Sequence, residues 1–139
     1  MQHELTLYNE VKQIALLPGF IEELSNELGL DEMLVFNLNL VLEEAVTNVI
    51  MYAYPKGERH SMTLKAWTEG EDVLAFELKD QGKPFDPIKE APEVDTTLSA
   101  EERGIGGLGI FLIKQMMDEV SYRYEDNSNI LTMKKNCKA

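Results

Sequence analysis

Hydrophobic and polar positions alternate over residues 3–8, HELTLY, with Leu5 and Leu7 on one side, which predicts a first strand. Asn9 is an expected N-cap for a helix over residues 10–28, and Gly29 is its expected end. Pro18 and Gly19 predict a kink or restart inside it. From Leu34 to Tyr54 the apolar residues Leu34, Leu38, Val41, Leu42, Ala45, Val46, Val49 and Ile50 keep helical spacing. They predict one long core helix, capped by Asp31 and stopped at Pro55. Two strands are expected over residues 61–68 and 73–79, joined by the turn Glu69-Gly70-Glu71-Asp72. In the second, Leu74, Phe76 and Leu78 face opposite to Val73, Ala75 and Glu77. Asp80 to Pro87 reads as a fixed turn. Residues 88–103 are polar and acidic with little periodicity, as in a lid or binding loop, with a short helix expected over Thr97–Glu102. A glycine cluster, Gly104 to Gly109, then starts a helix over residues 108–117. Strands at 120–124 and 130–135 follow, joined by the turn Glu125-Asp126-Asn127-Ser128.

Strands adjacent in sequence and joined by short turns pair antiparallel. The order strand, two helices, two strands, lid, helix, two strands therefore predicts an α+β layer, a sheet with helices on one face. At 139 residues, without repeats, the chain is expected to be one domain, residues 1–139. Net charge changes the picture more than size does. At −12, from 13 basic and 25 acidic side chains, the chain is expected to repel nucleic acid backbones and anionic lipid. No apolar run is read as long enough to span a bilayer, and the start MQHELTLYNE does not read as a signal peptide. The expected location is cytoplasmic. Cys137 alone forms no intrachain disulfide, and His3 and His60 alone make a zinc cluster improbable.

Glu44 and Asn48 interrupt the apolar surface of the long helix. Four apart, they stack on one face, a turn apart. One reading is an exposed helix edge, or an Asn satisfied in the core. The other is a carboxylate that takes a proton beside an amide oxygen that ligates a hard cation. Residues 104–109 fit G-x-G-x-x-G, yet neither a strand before the cluster nor a strand on each side accompanies it, so neither the dinucleotide fold nor the protein-kinase glycine loop fits. What remains is the physics those motifs share. Glycines let backbone N–H groups approach a phosphate, and a helix N-terminus favours an anion. The competing reading is a flexible hinge.

Glu44-Ala45-Val46-Thr47-Asn48 on a helix, Asp80-Gln81-Gly82 at a strand end and Gly106-Gly107-Leu108-Gly109 before a helix stand in a fixed order. This order resembles the N, G1 and G2 boxes of the GHKL ATPase superfamily. EEAVTN, the DxGxPFDP form and GGLGIFLI resemble above all the RsbW-type anti-sigma factor serine kinases, over almost the whole chain. The resemblance implies a Bergerat-type two-layer sandwich: a mostly antiparallel mixed sheet of about five strands with three main helices on one face. It implies ATP and Mg²⁺ as cofactors. Glu44 matches the general base, Asn48 the Mg²⁺ ligand and Asp80 the carboxylate that binds the adenine amino group. Gly82 lets the base pack against the turn. Gly106, Gly107, Leu108 and Gly109 match the phosphate-facing segment, with Gly107 and Gly109 as backbone donors. Arg103 is the lid cation nearest the cluster; it either reaches the γ-phosphate or is a solvated lid side chain. The chain departs from the superfamily at Pro84, where a second glycine is usual, and at Ser128 or Asn129, where the glycine of G-T-x-h is usual; the threonine often found there to assist adenine binding is replaced, with Thr132 further along. The implied partners are an anti-anti-sigma (STAS) protein, phosphorylated on serine, and a sigma factor, with the kinase a homodimer. The rival readings are a non-catalytic ATP-binding module and a plain ATPase.

Overall fold

A computed structural model describes residues 2–90 and 107–137. Arg103, Gly106, the short helix expected over Thr97–Glu102 and the lid beyond Glu90 lie outside the described residues. The elements follow as β1 (Gln2–Tyr8), a 3₁₀ helix (Val11–Leu16), α1 (Leu17–Leu28), α2 (Glu32–Tyr52), β2 (Ser61–Glu69) and β3 (Val73–Asp80). Then come α3 (Pro87–Glu90), α4 (Gly107–Met116), β4 (Glu119–Glu125) and β5 (Ser128–Asn136).

The strands form one sheet in the order β1-β2-β3-β5-β4. Every pair is antiparallel, so the sheet is not mixed as expected. The reason lies in the connections. Hairpins make β2–β3 and β4–β5, and the return from β3 through α4 brings β5 beside β3 running the opposite way. On one face stand Leu7, Met62, Leu64, Leu74, Phe76, Leu78, Leu131 and Met133, all buried against the helices. The opposite face carries cross-strand rows such as Glu4–Lys65–Glu77, whose alternating charges suit a solvated surface.

Asp31 caps α2 as expected, its Oδ1 accepting from the Leu34 N–H at 2.8 Å. Leu38, Val41, Leu42, Ala45 and Val46 are all buried, the i, i+3, i+4, i+7, i+8 stripe of a core helix. Each buried Leu or Val there stabilises the fold by roughly 1.5–3 kcal/mol. Contrary to expectation, α2 is long and apolar enough to cross a membrane, with a mean hydropathy of 1.4. Its stripe is instead taken up by the core described above.

The segment before α2 restarts as predicted. Pro18 has no N–H and its ring clashes with the carbonyl four residues back, so Val11–Leu16 winds as a 3₁₀ helix. In α1 the proline occupies the first turn, where its missing donor costs nothing, and Gly29 closes the helix in the left-handed region at φ 68°. Asn9 does not cap this segment; Glu10 stands at the cap position, without a side-chain cap bond. Instead Asn9 Oδ1 accepts from the His60 N–H at 2.8 Å and its amide donates to the Glu58 carbonyl at 2.8 Å, tying the end of β1 to the loop before β2. The β4–β5 turn is tighter than expected: Asp126 and Asn127 sit at φ 53° and 61°, and Ser128 and Asn129 belong to β5.

Candidate functional site

A cleft partly open to solvent lies between the second half of α2, the end of β3, the middle of β4 and the start of β5. Ala45, Asn48 and Val49 line it from α2, and Asp80, Phe85, Tyr122 and Asn129 line it from the sheet side.

Asp80 ends β3 and is 5% exposed. Its Oδ1 accepts from the Gly82 N–H at 2.9 Å and from the Asn129 amide at 3.0 Å. Its Oδ2 has no hydrogen bond among the described residues. Burial pushes the carboxyl above the usual Asp range, while the Asn129 amide and the Gly82 N–H pull it back. The result is an acceptor at the wall of a largely apolar cleft.

The turn after Asp80 is fastened at three points. The Lys83 N–H donates to the Ala53 carbonyl at 3.0 Å, the Gln81 N–H to the Tyr54 hydroxyl at 2.8 Å, and the Phe85 N–H to Asn129 Oδ1 at 3.0 Å. The Phe85 ring stacks on Tyr52 with centroids 5.4 Å apart. A Cβ on Gly82 would lie 2.3 Å from the Ala53 carbonyl oxygen and 2.6 Å from its Cβ, so glycine is required where the turn meets the end of α2. That close approach is to the protein's own backbone, a different reason from the contact with a base expected at this glycine.

Glu44 and Asn48 sit on α2 as the spacing predicts, both partly exposed. Asn48 lines the cleft and its side chain has no hydrogen-bond partner among the described residues. Glu44 faces the start of α4: a Cβ on Gly109 would lie 2.7 Å from Glu44 Oε2. Burial, and then the neighbouring Glu43 charge, raise the Glu44 carboxyl above its ordinary value. Gly107 opens α4. The first N–H groups of a helix have no partner within it, and Gly109, in the first turn of α4, lies beside the Glu44 carboxylate. Glu44 and Gly109 are in contact, and Asn48 and Asp80 share the cleft.

A family model for the histidine kinase-like ATPase domain matches residues 7–135. The chain belongs to the histidine kinase-like ATPases. Within that family it groups with the RsbW-type serine-protein kinases. It is 30% identical over 114 residues to the serine-protein kinase RsbW of Listeria monocytogenes, covering 80% of this chain and 72% of that one. With the same kinase of Halalkalibacterium halodurans it shares 27% identity over 135 residues, 95% of this chain and 81% of that one. The fold of this histidine kinase-like ATPase is also that of a crystal structure of RsbU and RsbW domains from Mycobacterium tuberculosis. There the TM-score is 0.69 at 12% identity, over 98% of this chain and 32% of the larger one.

Asn129 and Tyr122 were missed as site residues from the sequence. Asn129 lies opposite Asp80 in the β3–β5 register, which no local pattern reveals. Thr132 pairs with Glu77 and Ser121 on the sheet face away from the helices and does not line the cleft.

Proposed function

We propose that residues 1–139 work as one domain, a serine-protein kinase that uses ATP and Mg²⁺, phosphorylates a serine of an anti-anti-sigma (STAS) protein and regulates a sigma factor by exchanging partners. The observation that carries this reading is the contact of Glu44 with Gly109 at the start of α4, one helical turn from an unengaged Asn48 amide in the cleft that Asp80 lines. The donor set fits the nucleotide and its metal: a free carboxylate oxygen, a free amide and the N–H groups of a glycine-rich helix start.

ATP supplies the phosphoryl group, and Mg²⁺ neutralises charge on the phosphates. In this reading Asp80 Oδ2 accepts from the adenine amino group, and Asn48 offers its amide oxygen as a metal ligand. Gly107 and Gly109, within the segment Gly106-Gly107-Leu108-Gly109, present backbone donors to the phosphates. Glu44 takes the proton from the attacking serine hydroxyl. Its raised carboxyl serves that role, because a base whose pKa lies nearer the working pH accepts a proton more readily. A homodimer in the cytoplasm fits the same reading.

The test is a pull-down from the source cell with and without ATP, radiolabel transfer from ATP to the captured protein, and mapping of the modified residue. A phosphoserine on the captured partner is expected. Phosphate release with no labelled partner indicates a plain ATPase, and binding without turnover a non-catalytic module; either result overturns the kinase reading.

A further inference from the structure

Asn129 is 6% exposed and makes more side-chain hydrogen bonds than any other residue at the cleft. Its amide nitrogen faces three acceptors: Asp80 Oδ1 at 3.0 Å, the Lys83 carbonyl at 2.8 Å and the Gly82 carbonyl at 3.4 Å. Its oxygen faces two donors, the Phe85 N–H at 3.0 Å and the Tyr122 hydroxyl. Turning the amide over would set oxygen against a carboxylate and two carbonyls, and NH₂ against a backbone N–H. The chemistry of the neighbours therefore fixes its orientation.

We propose that Asn129 is the positioning residue that holds Asp80 as a pure hydrogen-bond acceptor, and that it thereby sets a preference for a 6-amino over a 6-oxo purine. The inference rests on the reading of this cleft as the adenine site. Asn129 has no donor or acceptor left over for a ligand, so it acts through Asp80. With Oδ1 taken up by Asn129 and Gly82, Oδ2 is the oxygen left for the base. An ionised carboxylate accepts from an amino group and repels a carbonyl oxygen, which leaves buried polar groups unpaired in the wrong complex. Replacing the amide by a second carboxylate changes this. Two carboxyl groups about 3 Å apart in a buried site do not both ionise, so the pair keeps a proton, and in the state that carries it on Asp80 Oδ2 the base meets a donor.

ATP and ITP differ at the purine 6-position and therefore read the preference directly. Calorimetric Kd values for both are measured with the parent, with Asn129→Asp and with Tyr122→Phe, which removes one of the two donors holding the Asn129 oxygen. The parent is expected to favour ATP by about tenfold to a hundredfold. In Asn129→Asp the ATP:ITP ratio is expected to drop by roughly tenfold or more, and in Tyr122→Phe by a smaller factor. A purely structural Asn129 predicts that both affinities fall together, and an unchanged ratio in the variants overturns the proposal. If Asn129→Asp does not fold, the Tyr122→Phe ratio decides alone. A parent that prefers ATP beside variants that keep its ratio sinks only this inference. A parent that binds neither nucleotide brings down the ATP reading and this inference with it.

Discussion

Gly109→Ala separates stability from phosphoryl transfer. The added Cβ meets Glu44 Oε2 at 2.7 Å, while the Glu44 Cδ and Cβ stand at 3.6 and 3.7 Å, in ordinary contact. Only the carboxylate oxygen is crowded, and it must retreat by about 0.7 Å to reach a normal separation. Turning the side chain off its rotamer costs about 0.5–1.5 kcal/mol. Alanine in place of glycine inside α4 contributes about 0.5–1 kcal/mol the other way. The two nearly cancel, so the urea midpoint should hold to within about 1 kcal/mol of stability. Transfer is a different matter, because a displacement near 1 Å at a reacting group costs up to about a hundredfold in rate. The assay is radiolabel transfer from ATP to the partner, run in the parent and in a Glu44→Gln background. If the glycine acts through Glu44, its substitution slows the parent by roughly ten- to a hundredfold and adds little once Glu44 is already Gln. An equal slowing in both backgrounds refutes the coupling of Gly109 to Glu44.

Gly82→Ala meets backbone rather than a movable side chain and should lower stability by about 1–3 kcal/mol or more, read as a drop in the denaturation midpoint; an unshifted midpoint removes the packing argument. Asp80→Asn should weaken ATP by about 1.5–3 kcal/mol in calorimetry, since the amide can turn a donor toward the adenine amino group. Glu44→Gln should keep nucleotide binding and slow transfer by about 10²–10⁴-fold, measured by single-turnover labelling. Because burial raises the Glu44 carboxyl, the parent's transfer rate should fall with acid at a higher pH than an ordinary Glu would give. Stability carries the matching sign. The folded state holds this proton more tightly, so ionising Glu44 costs stability as pH rises from the unfolded through the raised folded value. Glu44→Gln should therefore raise the thermal midpoint at neutral pH.

Elements with a strong period were legible in the chain. The apolar stripe of α2, the alternation of β3, Asp31 as a cap and Gly29 as a stop all stand where local rules put them. The Glu44–Asn48 face was legible for the same reason, since an i, i+4 pair needs only helix geometry. What local rules do not contain is pairing between distant strands. Asn9 looks like a cap in sequence, but His60 and Glu58 claim it once β1 lies beside β2. Asn129 looks like a turn residue after Asn127-Ser128, and its role exists only because β5 sets it against Asp80. Likewise Gly82 reads as a turn glycine, yet the atom that forbids a side chain there belongs to Ala53 on another element.

The seam between β3 and β5 also orders how the molecule folds. The hairpins β2–β3 and β4–β5 close over a few residues each and belong to the microsecond regime. Joining them brings together positions no nearer than Asp80 and Asn129, 49 residues apart along the chain, so loop-closure entropy is spent before the contact returns anything. Asp80 lies on one side of that seam and Asn129 on the other. A chain with both hairpins formed but still apart has most of its local structure and no cleft wall. The competence of the cleft is thus a product of the long-range step, and any ligand that needs both sides of the seam binds the completed fold alone and shifts the equilibrium toward it by mass action.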